Sequence, residues 1–171
     1  KLSSLLGATP RVVLHGKAHG GHLDGTLRVG ENERLAVTAS VEGLHIETLP
    51  LQSFIKQFKI SGNLSTTLVL DRTVIPQTGQ SQLTLTDGGV TLTEPLFDID
   101  SIGIKKAEAV VELKADQVKV SRLTLEGPEI TAAFSGGLQL RRPLHTSEMA
   151  LTGTIKPRPV FLNKLRQKVP V

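Results

Sequence analysis

The chain contains no cysteine, tryptophan or tyrosine, and only five phenylalanines in 171 residues. Without Cys there are no disulfides, no thiol catalysis and no thiolate metal ligands. The compartment stays open on this ground, because reducing and oxidising compartments both hold Cys-free proteins. Scarce aromatics weaken further classes. Stacking platforms for single-stranded nucleic acid need aromatic faces, hot-spot protein interfaces favour Trp and Tyr, and sugar sites generally want similar platforms. Charge of one sign is also scarce: 20 basic against 16 acidic residues give only +4. No run approaches the ~20 apolar residues of a membrane-spanning helix.

What the chain does contain is a strand-forming alphabet: 26 Leu, 17 Thr, 15 Val and 9 Ile. Apolar residues make up 39% and charged residues 21%, a globular balance in a length suited to one domain. Any core must be aliphatic. The basic residues are scattered except in Lys156, Arg158, Lys164, Arg166 and Lys168. A solvated tail explains that run better than a contact with anionic lipid. The first residue is Lys1, not Met, and the chain stops just beyond this basic stretch, so a piece of a longer protein is expected.

Alternation with period two recurs. Leu64, Thr66, Leu68 and Leu70 share one face, opposite Ser65, Thr67 and Asp71. Ala107, Ala109, Val111 and Leu113 alternate with Glu108, Glu112 and Lys114. Ile130, Ala132, Phe134, Leu138 and Leu140 keep one parity across Gly136-Gly137, and Met149, Leu151 and Ile155 close the series. This pattern belongs to antiparallel strands covered on one side only. It predicts eight to ten strands, near 11–18, 23–30, 34–42, 59–71, 80–86, 90–93, 106–114, 117–126, 129–141 and 147–156. Turns are expected at Thr86-Asp87-Gly88-Gly89, Lys114-Ala115-Asp116-Gln117 and Glu126-Gly127-Pro128-Glu129. The apolar parity flips at Ser121-Arg122, which predicts a bulge, and Gly25, Gly62, Gly136, Gly137 and Gly153 in or beside strands favour a curved sheet.

Two segments carry helical spacing. Leu51, Phe54, Ile55 and Phe58 follow Pro50 at i, i+3, i+4 and i+7, and Phe161, Leu162, Leu165 and Val169 repeat the spacing in the basic tail. The expected fold is therefore all-β: a curved antiparallel β-meander, a half-barrel or groove, with one or two short helices. Residues 1–157 form the β-domain and 158–171 a basic amphipathic tail.

The sequence offers little chemistry. His15, His19 and His22 lie close together around Gly16, Gly20 and Gly21, with Asp24 the nearest carboxylate. On one extended chain His15 and His19 share a face and His22 falls opposite, a poor match to metal-ligand spacing. A polar, Gly-rich turn is the simpler reading, and His45 and His145 are isolated. Asp98 and Asp100 would project side by side from one strand, but no acidic cluster follows to complete a cation site or an acid–base pair. Neither a Gly-x-Ser-x-Gly elbow nor a phosphate loop is present. Catalytic residues, cofactors and metal ligands are accordingly not expected. The candidate functional surface is the aliphatic side of the strands, Leu64, Leu68, Leu70, Val111, Leu113, Phe134, Leu138, Leu140 and Leu151, as a groove or a partner surface. Parity alone leaves two arrangements open: a closed sandwich or barrel with this side as core, or an open groove.

The stretch from Leu123 through Glu126-Gly127-Pro128-Glu129 to Ser135-Gly136-Gly137-Leu138 and Pro143-Leu144 is followed by Ser147 to Lys156-Pro157. With Val41-Glu42-Gly43-Leu44-His45-Ile46, Leu49-Pro50-Leu51 and Ile60-Ser61-Gly62-Asn63-Leu64-Ser65, it resembles the type II secretion system protein N family, in the form related to AsmA-like envelope proteins. The resemblance spans about residues 40–157. It implies a periplasmic domain of bent antiparallel sheet, anchored to the inner membrane of a Gram-negative bacterium through a parent chain. It also implies a non-enzymatic role by contact with other secretion-system or envelope proteins during protein export. The AsmA-like relatives imply an alternative, a groove that holds or conveys phospholipid acyl chains. No nucleic-acid partner follows from either.

Overall fold

The computed structural model describes residues 11–29, 35–49, 58–96, 99–143 and 146–168, with backbone alone for 96, 99 and 164–168. Nine strands form one antiparallel sheet in strict chain order: β1 (Arg11–Ala18), β2 (Gly21–Val29), β3 (Leu35–His45), β4 (Phe58–Asp71), β5 (Thr78–Leu96), β6 (Ile99–Lys114), β7 (Gln117–Glu126), β8 (Ile130–Gln139) and β9 (Glu148–Pro157). Helix α1 (Pro159–Lys168) follows, and a short 3₁₀ turn (Ile46–Thr48) sits between β3 and β4. The sheet does not close into a barrel. Among the described residues, β1 and β9 each pair on one side only.

Turn chemistry sets the meander. β1 and β2 are joined by His19-Gly20, with φ of 50° and 82°. Positive φ at both central residues is the two-residue hairpin geometry that matches strand twist, and Gly20 adopts it without a steric penalty. Ala115-Asp116 joins β6 to β7, with Ala115 at φ 58°, and Gly127-Pro128-Glu129 joins β7 to β8, both as expected. The Ala115 amide also donates to the Gln77 carbonyl at 2.9 Å, tying neighbouring turns together.

The expected hairpin at Thr86–Gly89 is not one. β5 runs through it as a single 19-residue strand. Between the Ser61–Gly89 and Asn63–Thr86 pairs β5 advances three residues while β4 advances two. The extra residue is a bulge, with Asp87 at φ 50°. Close backbone approach explains the glycine there: a Cβ on Gly88 would stand 2.3 Å from the Ser61 carbonyl oxygen. The bulge expected at Ser121-Arg122 is present, as register shifts on both sides of β7. The tail helix also forms, beginning at Pro159, whose missing N–H is unneeded in a first turn. The expected helix near 51–58 falls outside the described residues except for Phe58, which instead opens β4.

Candidate functional site: an uncovered aliphatic face

Strand pairing sorts the side chains into cross-strand rows. One row runs Val12, Leu27, Val37, Leu70, Gly79, Leu113, Val118, Leu138 and Met149 across all nine strands. The next runs Leu14, Gly25, Ala39, Leu68, Ser81, Val111, Val120, Gly136 and Leu151. A third includes Leu23, Val41, Leu83, Ala109, Leu123 and Phe134. The fourth is Leu44, Leu64, Leu85, Ala107, Leu125, Ala132 and Ile155. Directly paired residues share a face, and alternate residues of one strand return to it. These rows therefore make one aliphatic surface. With ~4.8 Å between strands and ~6.7 Å between rows, its footprint is roughly 38 by 20 Å. That exceeds the few hundred Å² a monomer usually exposes.

Eight of the nine sequence-nominated residues lie in these rows: Leu64, Leu68, Leu70, Val111, Leu113, Phe134, Leu138 and Leu151. Leu140 stands one residue beyond β8, where its amide donates to the Asp116 carbonyl at 2.8 Å. Sequence reasoning missed Val12, Leu14 and Leu27, whose short strands gave too few alternations to weigh. It also missed Leu83 and Leu85, which a supposed turn cut off from the rest of β5.

Nothing among the described residues packs over this face as a second layer. Each strand makes extensive contacts only with its sheet neighbours, and the 3₁₀ turn only with β4. Among the described residues, Ile104 and Ala132 are the buried hydrophobic ones, and no large side chain is fully buried. Val12, Leu14, Leu23, Leu68, Met149 and Ile155 are exposed. The chain presents 12460 Å² to solvent, whereas a compact protein of its mass presents roughly 8,200 Å². Of the two arrangements that parity allowed, the closed barrel is excluded.

Small residues let the large ones close ranks. A Cβ on Gly79 would lie 3.2 Å from Leu70 Cδ1 and 3.3 Å from Leu113 Cβ, so these leucines flank the gap on both sides. Phe134 lies over Gly153, its Cδ1 only 2.4 Å from where a Cβ would be. An aromatic ring laid over a strand glycine shields backbone that would otherwise be bare.

The opposite face is hydroxylic and charged. One row there is Ser65, Thr84, Glu108, Thr124, Ala133 and Thr154. Lys106 Nζ lies 2.9 Å from Glu108 Oε1, and this hydrogen bond and charge hold the Glu108 carboxyl below its ordinary range. Surface hollows occur beside both faces. One of about 640 Å³ lies between β7, β8 and β9, where Val118, Leu138 and Met149 meet Lys119, Gln139 and Glu148. Another, of about 380 Å³, lies on the polar side between β1 and β4, beside His15, Thr26, Thr38 and Thr67. Both are open, as the two sides of a twisted single layer are.

The histidines separate. Antiparallel pairing sets His15 opposite Asp24 and His22 opposite Lys17, two residues along the same face. His22 thus shares a face with His15, contrary to the single-chain expectation, because the hairpin reverses the chain. His15 Nδ1 meets Asp24 Oδ1 in an exposed pair. His19 in the turn meets the Thr48 hydroxyl at 2.8 Å, and that hydroxyl donates to the His45 carbonyl at 2.6 Å. No group of three His, Asp or Glu side chains among the described residues is placed to hold a metal ion. Asp100 is exposed and accepts from the Ser101 hydroxyl at 3.1 Å; Asp98 and His145 lie outside the described residues.

No protein-family model, curated protein or solved structure matches this chain.

Proposed function

We propose that this chain is a non-enzymatic lipid-holding element of a Gram-negative envelope, facing the periplasm as part of an AsmA-like, membrane-anchored protein. The observation that carries this reading is the aliphatic surface crossing nine strands, with no second layer over it among the described residues. Water in contact with such a surface is costly, and an acyl chain laid on it gains about 0.8 kcal/mol for each methylene buried. Leu, Val and Ala side chains offer no hydrogen bond or stacking plane, so they discriminate for length and apolarity alone. That is the recognition an acyl chain needs. The Thr-rich opposite side keeps the sheet wetted from behind.

Native mass spectrometry after gentle purification tests the proposal. Bound phospholipid is expected in the wild type. It should be lost in Leu68→Asp, which puts a carboxylate in the middle of the apolar face, and kept in Thr67→Asp on the polar side of the same strand. A folded wild type that never carries lipid, or equal loss in both variants, would overturn the reading.

A second reading has its own support: docking to a type II secretion component by strand addition. Among the described residues β1 has no strand on its outer side, and Val12, Val13 and Leu14 on it are about half exposed, at 46%, 50% and 52%. Such an edge accepts a further strand through main-chain hydrogen bonds. Crosslinking in the envelope that captures no secretion component at β1 would remove it.

A further inference from the structure

β9, the other strand with no outer neighbour among the described residues, carries a self-complementary code. We infer that two copies of this chain pair through β9, antiparallel about a two-fold axis at Thr152. The inference goes beyond the lipid reading and does not depend on it.

Geometry limits the choices. With nine alternating strands, β1 and β9 run in the same direction. Antiparallel pairing that keeps the two aliphatic faces on one surface is then possible only between like edges. β9 with β1 of another copy is either parallel, the weaker ladder, or puts a greasy face beside a polar one. Pairing β1 with itself about Leu14 sets Arg11 opposite Lys17 in both halves, a repulsive arrangement.

Pairing β9 about Thr152 sets Glu148 opposite Lys156, Met149 opposite Ile155, Ala150 opposite Thr154 and Leu151 opposite Gly153, each twice by symmetry. Met149 and Ile155 are 68% and 59% exposed on the aliphatic side and would cover one another. Glu148 already lies 2.9 Å from Arg141 of its own chain; an ionised carboxylate has acceptor sites for both cations. Shifting the register by two residues in either direction removes the Glu148–Lys156 match. Pro157, with no N–H to give, ends the ladder just past Lys156. The product is an 18-stranded sheet with a continuous aliphatic surface.

The Cys-free sequence supplies the test. Residues directly opposite in an antiparallel ladder stand roughly 4.5–5.5 Å apart at Cα, inside the disulfide window. Thr152→Cys should therefore give a disulfide-linked dimer under mild oxidation. Thr154→Cys should not, because its twin lies roughly 13 Å along the ladder. Lys156→Glu, which sets two like-charged pairs across the axis, should lower the dimer association constant in sedimentation roughly tenfold or more while the monomer keeps its circular dichroism. Equal crosslinking at 152 and 154, or a folded wild type that sediments as a monomer at every concentration, would overturn the inference. So would a dimer indifferent to Lys156→Glu. Lipid is absent from all of these measurements, so their outcome is separate from that of the lipid experiment.

Discussion

Two glycines on the same face meet opposite surroundings. A Cβ on Gly153 would come within 2.1 Å of the Ala133 carbonyl oxygen and 2.4 Å of the Phe134 ring, while one on Gly16 would meet nothing within 4 Å. Gly153→Ala must displace the ring or the β8–β9 ladder, and should cost about 1–3 kcal/mol in urea unfolding. Gly16→Ala should be neutral or stabilising by up to ~1 kcal/mol, because it stiffens the unfolded chain at no native cost. Equal effects would mean that the Phe134 ring does not hold Gly153. Neither environment is legible in the sequence. Gly153 and Gly16 both read as glycines within alternating runs, and only the partner strand tells them apart.

At the scale of elements, the 3₁₀ turn is fastened to β4 by a carboxylate. Glu47 Oε2 accepts from the Gly62 amide at 3.1 Å, and His45 Nδ1 stands 3.5 Å from the other oxygen. Hydrogen bonds from Glu47's own backbone N–H, and then from that of Gly62, hold its pKa below the ordinary glutamate value. A carboxyl whose folded pKa is depressed adds stability above its unfolded pKa and loses it as pH falls through the folded one. Urea midpoints should therefore separate wild type from Glu47→Gln at pH 7, with the gap closing below about pH 4. A gap independent of pH would mean that the carboxylate charge is not what fastens the turn. Asp71, lowered by the hydroxyl and amide of Thr73, and Glu108, lowered by Lys106, titrate in the same direction and belong to wild type and variant alike. The elements also show where local signals mislead. Asp87-Gly88 is a strong hairpin cue, yet strand pairing with β4 and β6 on both sides carries β5 straight through it as a bulge.

As a whole molecule, the chain buries less than its length allows. An unfolded chain of this mass exposes roughly 26,700 Å² and a compact fold roughly 8,200 Å². Against the 12460 Å² presented here, the urea m-value should be roughly a quarter below that of a compact 171-residue protein. The folded state should also bind a hydrophobic dye such as ANS at neutral pH and release it on unfolding, the reverse of a protein with a closed core. An ordinary m-value with no native dye binding would show that the aliphatic face is covered in solution.

The sequence by itself determined the class of structure and the sidedness of its strands. Alternation of Leu, Val and Ala with Thr, Ser and charge has one geometric solution, a sheet with a greasy and a wet face, and the two-residue turns at His19-Gly20 and Ala115-Asp116 order it as a meander. Tertiary structure alone decided that Leu64, Leu68, Val111, Phe134 and Leu151 share one open surface, that the sheet stops short of closing, and that β1 and β9 remain as edges. The reason is that parity is a property of one strand, whereas closure depends on the register, bulges and twist accumulated across all nine. A leucine on the inside of a barrel and a leucine on an open face occupy the same place in the alternation; they differ only in whether another layer lies opposite.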